Sequence, residues 1–143
     1  MKKIILLILL FTNSVVFCQK TNKSNELFRV AKNTVTVTDY YENGDFKYDN
    51  LRLYTLNKEY NYAVDIFTLY NGSPKMFLLF LDELISSLNK EENTTTTLHN
   101  DLRVSIMYKK QGLLLKEGKS AYMSLKNAEK IKKKFLKHLE EIK

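Results

Sequence analysis

The sequence predicts an α+β fold: an antiparallel β-sheet with two helices packed on one face, built as a pseudo-repeat of strands followed by a helix. Three observations carry this. Alternating, β-branched segments recur along the chain, an amphipathic helix closes it, and FLLFLDELISSLN in the first half can be laid against YMSLKNAEKIKKKFL in the second. Strands that bury one face and helices that bury one stripe satisfy each other as a pair of layers.

The chain opens MKKIILLILLFTNSVVFCQK. Lys2 and Lys3 precede an apolar run from Ile4 to Phe11, too short for a permanent span, which takes about 20 apolar residues. A charged start, a short apolar middle and a small-residue end mark a secretory signal. The spacing places a signal peptide at residues 1–18, cut after Cys18. The mature chain is then exported, periplasmic or extracellular, with no transmembrane segment after cleavage. A lipidated Cys18 is the competing reading. Phe17 speaks against it, because that processing takes small residues just before the cysteine. Cys18 is the one cysteine of the sequence, so cysteine metal sites and thiol nucleophiles are excluded from the mature chain.

Residues 19–33 read as a flexible N-terminal segment, polar from Gln19 to Asn25, with a short helical turn at Glu26 to Lys32. Residues 34–143 read as a single α+β domain, since no proline- or glycine-rich linker interrupts them. Thr34-Val35-Thr36-Val37-Thr38 alternates as a strand does. Asn43-Gly44 is a hairpin signal, because both residues tolerate the positive φ of a tight turn. Phe46 to Leu56 and Tyr60 to Tyr70 follow as strands, with Tyr60, Tyr62, Val64 and Ile66 on one face.

Asn71-Gly72-Ser73-Pro74 reads two ways: Asn-Gly is a hairpin signal, and Ser73-Pro74 has the form of a helix N-cap and first helical residue. The apolar run behind it predicts a buried strand at Met76 to Phe80 leading into a helix from about Leu81, against the alternative of one long helix. Leu102, Val104, Ile106 and Tyr108 then alternate with Arg103, Ser105, Met107 and Lys109. Gln111-Gly112 is predicted to turn the chain, Leu113 to Lys116 to form a strand, Glu117 to Lys119 a turn, and Ala121 to Met123 the last strand. Ser124 caps a helix to about Ile142. Leu125, Ala128, Ile131, Phe135, Leu136, Leu139 and Ile142 form its apolar stripe at about 100° per residue.

The formal net charge is +7, which falls to +5 once Lys2 and Lys3 leave with the signal. From Gln19 to Leu102 there are 9 basic and 12 acidic residues; from Arg103 to Lys143 there are 12 basic and 4 acidic. The basic excess therefore sits in the last third. Lys130, Lys133, Lys134 and Lys137 share the outward side of the final helix and are the candidate binding residues, suited to an anionic partner. Nucleic acid is not the expected partner, because export removes the chain from it and no aromatic-basic recognition motif is present.

Other motifs carry less. Gly112 to Ser120 resembles a phosphate-binding loop, but five residues separate its glycines where that loop has four, and Leu113 to Leu115 reads as strand. His99 and His138 are the two histidines, and their spacing fits no zinc motif. Asp39, Glu42, Asp45 and Asp49 lack the order of a calcium loop and suit a solvated turn. The sequence has nine tyrosines and no tryptophan. Tyr40, Tyr41, Tyr48, Tyr54, Tyr60, Tyr62 and Tyr70 crowd the first half, where tyrosine fits half-buried sheet faces. No catalytic residue, metal ligand or cofactor motif is assigned. The expectation is a small exported non-catalytic domain that binds a protein or an anionic cell-envelope component. The alternative is a small exported hydrolase whose site is dispersed in sequence.

Overall fold

Antiparallel pairing begins earlier in the chain than the sequence predicts. In the computed structural model, which describes residues 20–56 and 66–141, strand β1 (Lys20–Val30) occupies what reads as a flexible lead with a helical turn. It pairs with β2 (Asn33–Glu42) along its whole length, from Lys20 opposite Glu42 to Val30 opposite Asn33. Residues 20–26 are exposed on both faces, so they carry no apolar alternation. Their backbone partners in β2, not their side chains, make them a strand. The export signal with Cys18 and Gln19, the residues Tyr60, Tyr62 and Val64, and Ile142 lie outside the described residues.

β2 turns into β3 (Asp45–Leu56) through Asn43 and Gly44, at φ 55° and 86°. Two successive positive φ values match the twist of the flanking strands. β4 (Ile66–Gly72) completes a four-stranded meander in the order β1-β2-β3-β4.

Helix α1 (Pro74–Leu88) follows directly. The strand predicted at Met76 to Phe80 is its first turns. Ser73 is the N-cap, its Oγ accepting from the Met76 N–H at 3.4 Å, and Pro74 occupies the first turn. Phe77, Phe80, Leu81, Leu84 and Leu88 are buried at helical spacing. Burial on every side is not needed, because Met76 and Leu79 remain 42% and 50% exposed.

The second half repeats the plan. β5 (Thr95–Thr97), β6 (Arg103–Ile106), β7 (Gln111–Lys116) and β8 (Lys119–Ser124) form a second meander in that order, and α2 (Leu125–Glu141) follows. The chain is thus an α+β protein of two four-stranded antiparallel sheets and two helices, each sheet followed by its helix. The strands divide between two sheets where the sequence suggested one. At the edge of β4, side chains from the second half hold two carbonyls: Asn100 Nδ2 donates to Leu69 O at 2.9 Å and Lys119 Nζ to Ile66 O at 3.2 Å.

The turn predicted at Gln111-Gly112 lies instead at Tyr108–Lys110, where Lys109 and Lys110 take φ of 56° and 55°. Gly112 is inside β7, opposite Met123. It is needed for closeness: a Cβ there would stand 2.5 Å from Leu88 Cδ2. α1 touches β3, β4 and β6, while α2 touches β1 and β8, so each helix reaches both sheets. The buried apolar residues form one cluster running from Val30 through both sheets and helices to Phe135.

Candidate functional site

α2 presents the predicted lysines on a face fixed by its buried side. Ser124 Oγ accepts from the Asn127 N–H at 3.2 Å and starts the helix. Ala128, Ile131 and Phe135 are buried, and Leu125 and Leu139 pack against the same core. Leu136, assigned to the buried stripe from its spacing, is 41% exposed. It lies at the margin of the stripe, beyond the reach of the sheets.

The four lysines do not act as one set. Lys130, Lys133 and Lys137 are exposed, whereas Lys134 is half-buried. Lys134 Nζ donates to Arg29 O of β1 at 3.2 Å and lies 5.7 Å from the centre of the Phe28 ring. It fastens the helix to the sheet and is a structural residue. Lys137 pairs with Glu141 one turn on, at 3.4 Å. Lys132, beside them, pairs with Asp82 of α1 across the helix seam. Among the described residues, Lys130 and Lys133 have no hydrogen-bond or ion-pair partner. These side chains edge an open groove along the outer flank of α2, with Leu136 and Ile85 of α1 as its apolar part and Glu129 and Glu140 at its two ends.

A second concavity lies along the free edge of β4. It encloses 500 Å³ and is lined by β4, Ser73, His99, Asn100, Lys116 and Lys119 among others. Lys116 Nζ donates to Asn100 O at 2.7 Å, so the loop bearing His99 is held from both sides. His99 Nδ1 lies 2.5 Å from Glu83 Oε2 of α1, and the His99 N–H donates to the same oxygen at 3.4 Å. The histidine ring's hydrogen bond holds the Glu83 carboxyl below its usual range, against a smaller opposing effect of burial. The sequence distance between Glu83 and His99 hides this pair; nothing in the spacing points to it.

The remaining motifs resolve into ordinary parts. His138 is half-buried, its ring 6.5 Å from that of Phe135. The phosphate-loop-like segment is the β7–β8 hairpin, with Glu117 and Gly118 at its turn. Tyr70 is core, tilted against Phe77 and Phe80 at 5.1 Å each, and its hydroxyl donates to Ser73 O at 2.9 Å. Tyr40 stacks on Tyr48 at 4.5 Å, and Tyr41 meets Phe46 edge-on at 5.8 Å near the β2–β3 turn. No described helix is long and apolar enough to cross a membrane. No family model, curated protein or solved structure matches the chain.

Proposed function

We propose that this chain is an exported, non-catalytic binding domain that takes an anionic partner, a protein or another cell-envelope component, on the outer flank of α2. The observation that carries the reading is the groove in which the unpaired Lys130 and Lys133 stand beside the exposed Leu136 and the half-buried Ile85. Long side chains without partners are available to an incoming anion, and an apolar strip beside them adds area that water leaves on contact. Export rests on the amino-terminal signal.

The test is charge reversal of Lys130, Lys133 and Lys137 to Glu, leaving Lys134 in place because it holds β1. Anionic vesicles, acidic polysaccharide and envelope extract are offered to both proteins at low and near-physiological salt. Retention of the wild type, weakened by salt and lost in the reversed protein, supports the reading. Equal retention of both, or retention of neither, removes it.

A second reading has one observation in its favour. The His99–Glu83 pair has the form of an oriented base, and Ser73, whose Oγ caps α1, lines the same cleft as His99. A hydrolase built there would be labelled at Ser73 by a fluorophosphonate, and His99→Ala would abolish the labelling. An unlabelled wild type disposes of it.

A further inference from the structure

We infer that the partner taken by the α2 flank is an amphipathic helix of another protein, about three turns long and acidic in its middle. This deepens the proposed binding function and rests on it.

The charge pattern along the groove selects the occupant. In chain order the groove is edged by Glu129, then Lys130, Lys132, Lys133 and Lys134, then Lys137, then Glu140, with Lys132 paired to Asp82 and Lys134 bonded to Arg29 O. At a rise of about 1.5 Å per residue, the two glutamates stand about 16 Å apart, with the lysines and Leu136 between them. The order is negative at both ends and positive between. A uniform polyanion or an anionic bilayer gains at the centre and is repelled at both ends. A discrete partner with acidic residues at its middle and basic residues at its ends meets every charge with its opposite.

A second copy of this chain is a poor occupant. In a two-fold pairing through this flank, antiparallel helices place Glu129 against the second copy's Glu140, and lysine against lysine. Parallel helices do the same. Symmetric pairing thus opposes like charges throughout. The apolar part narrows the choice further. Leu136 and Ile85 give the groove a short apolar part, which suits the apolar anchors of a helix lying in a groove.

The experiment is a selection from a displayed library of random sixteen-residue peptides. The protein is the bait, and its Lys130→Glu/Lys133→Glu variant is the counter-selection. Enriched peptides are expected to carry apolar residues at helical spacing with Asp or Glu in the middle turns. Synthesised, they should lose about tenfold or more in affinity to the double variant, each tenfold being 1.4 kcal/mol, and bind Leu136→Ser more weakly as well. A peptide whose central acids are changed to Lys should bind the double variant better than the wild type, a gain that a misfolded variant cannot produce. Enriched peptides that are acidic but bind equally well when scrambled would overturn the helix inference and leave the anionic-partner reading in place. Enrichment of no peptide, with retention on anionic vesicles, does the same. Failure to retain any peptide, vesicle or polysaccharide removes both.

Discussion

Phe77 of α1 meets Phe135 of α2 edge to face, ring centroids 4.9 Å apart and planes at 80°. Each ring comes from the helix that ends one half of the chain, and both are buried. The contact joins the two strand-and-helix units where the sheets themselves share no ladder. Edge-to-face geometry sets the positive rim of one ring against the negative face of the other.

Phe135→Ala is therefore expected to cost about 3–5 kcal/mol, the range for truncating a buried phenylalanine. Lys133→Ala, on the far side of the same helix, should stay within about ±0.5 kcal/mol. Urea midpoints measured side by side check both. Similar shifts for the two variants would mean that the helix faces are assigned wrongly.

Gly112→Ala tests the closeness of α1 to the second sheet. The new methyl would stand 2.5 Å from Leu88 Cδ2 and 3.2 Å from Val104 Cγ1. Leu88 is wholly buried and has no open space to swing into. Overpacking of this kind costs about 1–3 kcal/mol. Combined with Leu88→Ala, which removes the obstructing atom, the glycine substitution should cost less than it does alone. Additive losses would place the strain elsewhere.

What the sequence made legible was governed by burial. α2 is readable because one side is core and the other solvent, and Ser124 marks its start. β1 was missed because its first seven residues are exposed and owe their conformation to β2. β5 was missed for the same reason, three threonines held by β6. Met76 to Phe80 defeats periodicity, since Met76 and Leu79 are apolar and exposed while Phe77 and Phe80 are apolar and buried. At the candidate site, the helix face was legible but the fate of each lysine was not. Lys134 and Lys132 find partners on β1 and α1 that only the folded chain brings near. The Glu83–His99 pair was invisible for that reason too.

The signal-peptide reading predicts a defined mass. Cleavage after Cys18 leaves Gln19 as the first residue, and the exported protein should show that intact mass with no lipid increment. A lipid-sized addition at Cys18, or an uncut chain, would contradict the signal-peptide reading.

The Glu83–His99 pair predicts a modest acid limb. Its folded carboxyl pKa lies below the ordinary value, so its stabilisation is present above the unfolded glutamate pKa of about 4.3 and is lost as pH falls through the folded one. The side chains are 44% and 40% exposed, so solvent screening limits the pair to about 0.2–1 kcal/mol. Glu83→Gln should lose that much at pH 6 and converge on the wild type as pH falls through the lowered folded pKa. A constant deficit across the range would show that packing, not charge, is what the substitution removes.

Asp39 and Asp49 give the opposite sign. They are register partners across β2 and β3, directly opposite each other. Asp49 is pushed above the usual carboxylate range, first by partial burial, then by the Asp39 charge, and by their hydrogen bond. A carboxyl whose folded pKa is raised stabilises the fold in its protonated form. That contribution is fully present below the unfolded pKa of about 3.9 and is lost as pH rises through the folded one. Like charges set opposite each other on neighbouring strands cost about 0.2–1 kcal/mol. Asp49→Asn removes one charge and keeps the shape, so it should raise the unfolding midpoint at pH 7. The gain should shrink steadily as the wild-type carboxyl takes up its proton, and near pH 3 the two proteins should unfold together. Lys23 of β1 is the register partner of Asp39 on its other side, so Lys23→Gln, which removes an opposite charge from that row, should enlarge the gain. If Asp49→Asn instead destabilises at pH 7, the Asp49 carboxylate is making a favourable contact that outweighs its repulsion by Asp39.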